Sequence, residues 1–121
     1  MKILVTGKEG QVGSALQKVA ARFDVDVIAL SRDQLDITDK GVIGAMIERY
    51  QPDILINAAA YTAVDKAEDE KDGAYAINRD GPDYLAIECA KSSIPFLHIS
   101  TDFVFDGTKA APYTEEDICN P

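Results

Sequence analysis

Two periods of apolar residues alternate along this chain. Lys2, Ile3, Leu4, Val5 and Thr6 open it with a short β-branched run that stops at Gly7, the pattern of a buried strand entering a turn. From Gln11, the residues Val12, Leu16, Val19, Ala20 and Phe23 recur at i, i+4, i+7, i+8 and i+11, which paints one face of a helix. Residues 25–30 are a second strand-length run, followed by the polar loop Ser31, Arg32, Asp33 and Gln34. Thr38 reads as the N-cap of a helix over residues 39–50, whose stripe of Val42, Ile43, Met46, Ile47 and Tyr50 stops before Pro52.

Ile54, Leu55 and Ile56 are too short and too uniformly apolar for a half-exposed hairpin arm. They predict a third strand in a sheet covered on both faces. The charged segment from Asp65 to Asp72 reads as a solvated helix face or loop. Residues 72–92 then carry a helical stripe interrupted by Gly81 and Pro82. The spacing predicts one long helix kinked at the proline, which lacks an N–H and crowds the preceding turn. Residues 96–101 predict the last strand, and Asp106-Gly107 a turn. Strands alternating with helices predict a single α/β domain over residues 1–121, a Rossmann-like doubly wound parallel sheet with right-handed crossovers. The expected strand order is 3-2-1-4, with the ligand site at the carboxyl ends of the strands, where strands 1 and 4 meet.

Composition narrows the function classes. Twelve Lys plus Arg against 21 Asp plus Glu leave a net charge of −9, which repels phosphate backbones and anionic membrane surfaces. Neither nucleic acid nor a membrane is expected as a partner. Cys89, Cys119 and the lone His98 have no metal-ligand spacing, so no metal site is expected. With no secretory leader and no long apolar run, a cytoplasmic location is expected.

The chemistry concentrates at the strand ends. Gly7, Gly10 and Gly13 form G-x-x-G-x-x-G directly between the first strand and the first helix. In that context the first glycine permits the tight turn, the second lets backbone approach a pyrophosphate, and the third lets helix and strand pack closely. The helix amino terminus then receives the phosphates. Dinucleotide binding is the reading, the alternative being a purely structural strand-to-helix turn. No acidic residue ends the second strand, where Ala29-Leu30-Ser31-Arg32 stands. Arg32 suits a ribose 2′-phosphate, which favours NADP(H) over NAD(H); an ordinary solvated arginine is the alternative, and Asp33 beside it counts against the phosphate. Ala58, Ala59 and Ala60 leave a small-residue surface for a flat cofactor, or simply for packing under a helix. Ser100, Thr101 and Asp102 bring two hydroxyls and a carboxylate to the same edge. A hydroxyl there can donate to a carbonyl oxygen that gains charge during hydride transfer, although such residues also serve as plain strand-end caps. His98, inside an apolar run, reads as a satisfied core residue rather than a base.

These words together resemble the extended short-chain dehydrogenase/reductases, and within them the dTDP-4-dehydrorhamnose reductase family. The residues that carry the resemblance are Thr6-Gly7-Lys8-Glu9-Gly10-Gln11-Val12-Gly13, Leu35-Asp36-Ile37-Thr38, the stretch from Asn57 through Ala60-Tyr61-Thr62 to Glu68, and Ser100-Thr101-Asp102-Phe103-Val104-Phe105-Asp106-Gly107. The resemblance implies reduction of the 4-keto group of dTDP-4-dehydro-L-rhamnose to dTDP-L-rhamnose with NADPH or NADH, a step toward bacterial surface polysaccharides. By position it implies Gly10, Gln11 and Val12 at the pyrophosphate and Asp36 and Ile37 at the adenine. Ala60, Tyr61 and Thr62 would meet the nicotinamide half. Thr101 would be the catalytic hydroxyl on the substrate's keto oxygen, with Asp102 beside it. Position 103, usually tyrosine in the family, is Phe103.

Family members continue into a Tyr-x-x-x-Lys pair and a substrate lobe, and no tyrosine of this chain has a lysine four residues later. The expectation is therefore a C-terminally truncated cofactor domain that binds the dinucleotide without turnover and, with apolar surface uncovered, self-associates. Two other readings are a non-catalytic nucleotide-binding module resembling the beta subunit of methionine adenosyltransferase, and an epimerase or dehydratase of the same superfamily.

Overall fold

The computed structural model describes residues 1–120, except for the side chain of Asp102. Strands β1 (Lys2–Thr6), β2 (Asp26–Leu30), β3 (Ile54–Asn57) and β4 (Phe96–His98) form one parallel sheet. Helices α1 (Gln11–Ala20), α2 (Lys40–Tyr50), α3 (Val64–Ala67), α4 (Lys71–Tyr75) and α5 (Gly81–Lys91) connect them. No helix among the described residues is long and apolar enough to cross a membrane.

The strand order is β2-β1-β3-β4, and this corrects the expected 3-2-1-4. β1 is the most deeply buried strand and is paired on both sides, whereas β2 is only half-buried and begins at the exposed Asp26. β2 therefore suits an outer position, and β3 takes the free side of β1. Right-handed crossovers that run across the sheet in opposite directions lie on opposite faces: β1 to β2 runs one way, β2 to β3 and β3 to β4 the other, so α1 covers one face while α2 and α5, which pack on each other, share the second. The winding reverses between β1 and β3, one strand away from where the sequence placed the site.

Alternation along the strands sorts the core. Leu4, Leu30 and Leu55 join Ile43 and Ile47 of α2 and Leu85 and Cys89 of α5 in one cluster, and burial pushes the Cys89 thiol up to about 11. Leu35 and Ile37, from the loop after β2, are buried in the same cluster. The α1 stripe is less enclosed than its periodicity suggests: Gly13 is buried, but Val12, Val19 and Phe23 are exposed.

Three local expectations change. Asp39, not Thr38, caps α2, its carboxylate accepting from the N–H groups of Gly41 and Val42. Thr38 instead donates to Asp36. The last strand stops at His98 rather than Thr101. The kink at Gly81-Pro82 takes the form of a π-helical turn, Ala76–Asp80, between α4 and α5, in which the Gly81 N–H reaches back to Ala76. That wider turn makes room for the proline ring and needs no N–H from it.

Candidate functional site

The crevice opens where β1 and β3 end side by side, with Thr6 paired to Asn57. Both side chains are buried and polar. The Thr6 hydroxyl donates to Asn57 Oδ1, which also accepts the Ala59 N–H at 3.2 Å. Asn57 Nδ2 lies 3.0 Å from His98 Nδ1. With the amide donating, that ring nitrogen accepts, which requires a neutral imidazole; burial holds the His98 pKa below its usual value in the same sense. His98 is thus not enclosed in the core as expected. It stands on β4 and joins the Thr6–Asn57 polar cluster at the carboxyl ends of β1, β3 and β4.

The glycine turn forms the upper wall. Gly7 has φ +74°, and a Cβ on it would sit 2.6 Å from the Ala58 carbonyl oxygen. A side chain is excluded there by backbone conformation and by contact alike. At Gly13 a Cβ would fall 2.2 Å from the Gly7 carbonyl oxygen, so α1 starts in direct contact with the turn. Gly10 is the N-cap of α1 and has no side-chain bond to the helix. The first-turn N–H groups at Gln11 and Val12 therefore face the groove without an intrahelical partner. Such a terminus suits a diphosphate.

The groove has a volume of about 690 Å³. It brings together Gly7, Gly10, Gln11, Val12, Arg32, Asp36, Ile37, Ala58, Ala59, Ala60 and Thr62 of the expected residues, and adds Glu9, Leu35, Ile77, Ile99 and Ser100. Gly13 lies behind the turn. Tyr61 does not line the groove; its hydroxyl donates to Glu70 at 2.6 Å, which raises the phenol's pKa. Arg32 and Asp36 mark one end of the groove, and Ala60, Thr62 and Ser100 the other. The Asp36 carboxylate accepts the Thr38 hydroxyl at 2.7 Å and the Thr38 N–H at 2.9 Å, bonds that hold its pKa below the usual value. Arg32, largely exposed, touches Asp36 at 3.4 Å; an exposed pair at that length is a weak tie, which leaves the guanidinium able to turn toward an anion.

Thr101 follows β4, next to the groove residue Ser100, and its Oγ1 accepts the Phe103 N–H at 3.2 Å. The expected substrate contact of Asp102 lies outside the described residues. Beyond it the chain folds back on itself, the Asn120 N–H reaching the Val104 carbonyl at 3.0 Å. Asp106 is the hub of this loop, accepting the Thr108 N–H and hydroxyl, the Tyr113 hydroxyl and the Asn120 amide. Those bonds, led by the Thr108 N–H, pull its pKa down to about 2 from an ordinary 3.8. A depressed carboxylate supports the fold fully above its unfolded pKa and loses that support as pH falls through the folded value. The Thr108 amide resonance is accordingly expected to shift with a midpoint near pH 2, and a midpoint near 4 would contradict the hub.

Sequence reasoning missed Asn78 and Gly81. Asn78 grips the backbone of Tyr61 from both sides, and a Cβ at Gly81 would lie 2.7 Å from Ile37 Cδ1. Their only signal was an Asn and a Gly within an apolar helical stripe. Among the described residues, no group of three or more His, Cys, Asp and Glu could hold a metal ion.

Comparison with known proteins places these features in a family. The family model described as the RmlD substrate binding domain matches residues 1–121. A dTDP-4-dehydrorhamnose reductase of Sinorhizobium fredii is 47% identical over all of this chain, which covers 40% of that protein. Among solved structures, a dTDP-4-dehydrorhamnose reductase of Clostridium acetobutylicum superposes with a TM-score of 0.94 at 43% identity, all of this chain matching 43% of that one. One from Bacillus anthracis, in complex with NADP, superposes at 0.93 with 34% identity, 99% of this chain matching 43% of that one. The chain thus spans about 40% of the length of the curated relatives it matches.

Proposed function

The chain belongs to the RmlD substrate binding domain family, and on that footing we propose that it forms the NADP(H)-binding part of a reductase acting on the 4-keto group of dTDP-4-dehydro-L-rhamnose. The observation that carries the reading is the groove itself: an α1 amino terminus without a side-chain cap, set against the glycine turn and opening on both sides into space for the two halves of a dinucleotide.

The residues fit the group. Gly10, Gln11 and Val12 present backbone to the diphosphate, with the α1 dipole behind them. Asp36 and Ile37 support the adenine, the Asp36 carboxylate being fixed by Thr38. Arg32 meets the 2′-phosphate. Ala58, Ala59 and Ala60 let the nicotinamide half lie close to backbone, with Thr62 at its edge. When bound, the nicotinamide supplies the hydride. Thr101 donates to the keto oxygen as that oxygen gains charge. No tyrosine here precedes a lysine by four residues, so a proton relay of that type would draw on groups other than those of this chain. The B. anthracis relative in complex with NADP supports the cofactor assignment.

Arg32→Ala tests the cofactor preference. NADPH affinity is expected to fall roughly tenfold, the scale of one lost charge-assisted contact at an exposed site, while NADH affinity stays within about twofold. Calorimetric titration of both dinucleotides reads this directly. Equal losses would remove Arg32 from the 2′-phosphate, and absence of binding by the unsubstituted chain would remove the cofactor reading itself.

A further inference from the structure

The Arg32 end of the groove carries a second charge, of opposite sign. In dinucleotide folds selective for an unphosphorylated ribose, an acidic residue near the end of the second strand bonds the 2′-hydroxyl. β2 ends at Leu30, with Ser31 and Arg32 after it, and supplies no such acid. The glycine turn brings one to the same place. The Lys8 N–H donates to the Leu30 carbonyl at 3.2 Å, which lays the turn against the end of β2. The Lys8 carbonyl accepts the Gln17 amide at 3.1 Å and the Ser14 hydroxyl at 3.3 Å, and the Gly10 N–H closes the turn on the Gly7 carbonyl at 3.0 Å. Glu9 is therefore held between two residues of fixed backbone, and it lines the groove together with Arg32. It is exposed, and among the described residues no lysine or arginine pairs with it. Asp36, the other carboxylate of the groove, is already engaged by Thr38 and Arg32.

We infer that Glu9 is a specificity-determining residue that opposes Arg32: its carboxylate accepts the 2′-hydroxyl of an unphosphorylated ribose and repels a 2′-phosphate, so that the groove takes NADH beside NADPH. The inference rests on the dinucleotide reading. A phosphate monoester carries about −1.5 to −2 charges at neutral pH, so both residues act on the same group of the ligand, with opposite sign. Arg32 lies on the loop after β2 and Glu9 on the turn before α1, and the bond from Lys8 to Leu30 ties the two segments together. Charges this exposed each contribute modestly. Neither excludes a ligand alone, and the preference is the balance between them.

Calorimetric titration of NADPH and NADH into the unsubstituted chain and into Glu9→Gln tests this. The amide keeps the length of the side chain and removes its charge. NADPH affinity is expected to rise about fivefold, the scale of one relieved charge repulsion at an exposed site. NADH affinity is expected to fall about threefold as a charge-assisted hydrogen bond becomes a neutral one. In about 1 M salt, where screening acts within about 3 Å, the NADPH gain should shrink below twofold while the NADH loss persists. Glu48→Gln, near the far end of α2, removes the same charge away from the groove and should move neither ligand by as much as twofold. Parallel changes for both ligands in Glu9→Gln, or none, would overturn the inference, and so would a Glu48→Gln chain that matched Glu9→Gln, since net charge alone would then be the cause. If the unsubstituted chain bound neither dinucleotide, the dinucleotide reading would fall and the role of Glu9 with it, a result distinct from any pattern in the variants.

Discussion

Gly10→Asp will leave the chain folded and lower its affinity for NADPH by at least about a hundredfold. Gly10 has φ −69° and ψ 168°, an extended conformation open to any residue, and stands at the N-cap of α1, where aspartate is among the preferred residues. A Cβ there would meet the Gly7 carbonyl oxygen at 3.3 Å, tight but within reach of a small shift. The fold therefore tolerates the change. The new carboxylate takes the first-turn N–H groups for itself and places a negative charge where the diphosphate must sit. Each hydrogen bond from backbone to a charged group contributes about 1.5–3 kcal/mol, so losing two of them accounts for the hundredfold. Calorimetry on the variant, with a thermal melt to show that it remains folded, checks both halves. Unchanged affinity would remove the glycine turn from ligand binding.

Gly13→Ala strikes the fold instead. Its Cβ would lie 2.2 Å from the Gly7 carbonyl oxygen, 2.9 Å from the Gly7 carbonyl carbon and 3.2 Å from Lys8 Cα, all backbone atoms of a turn whose own conformation is fixed by Gly7. No rotamer can relieve that contact. α1 has to move off the sheet, at a cost of about 3 kcal/mol, which lowers the melting temperature by about 10 °C. Gly73→Ala is the control, since a Cβ there meets nothing within 4 Å and lies in α4, where alanine is favoured over glycine by about 0.5–1 kcal/mol. The two substitutions should shift the melt in opposite directions. A Gly13→Ala chain as stable as the unsubstituted one would contradict the close approach of α1 to the turn.

This contrast explains what the sequence could and could not reveal. Gly7, Gly10 and Gly13 are legible because their meaning is local: a run of apolar residues stops, three glycines follow at fixed spacing, and a helical stripe begins. The strand order is not local. It depends on which side of β1 accepts β3, a choice decided by the shallow burial of β2 and by the crossing of α2 over the sheet. Thr38 and Asp39 both suit an N-cap, and the competition is settled by Asp36, which engages the Thr38 hydroxyl. Asn78 and Tyr61 are far apart in sequence, so their clamp is visible only once the π-helical turn has brought the two segments together. The Gly81-Pro82 pair announced a disturbance in the helix but not its width.

An amide proton–nitrogen correlation spectrum of the isotopically labelled chain, recorded during titration with NADPH, tests most directly that the crevice between β1 and β3 is a dinucleotide site. Saturable shifts are expected at Gly10, Gln11, Val12 and Gly13, at Asp36 and Ile37, and from Ala59 to Thr62, with the far ends of α2 and α5 unmoved. Shifts scattered over the surface, or none at saturating NADPH, would contradict the account.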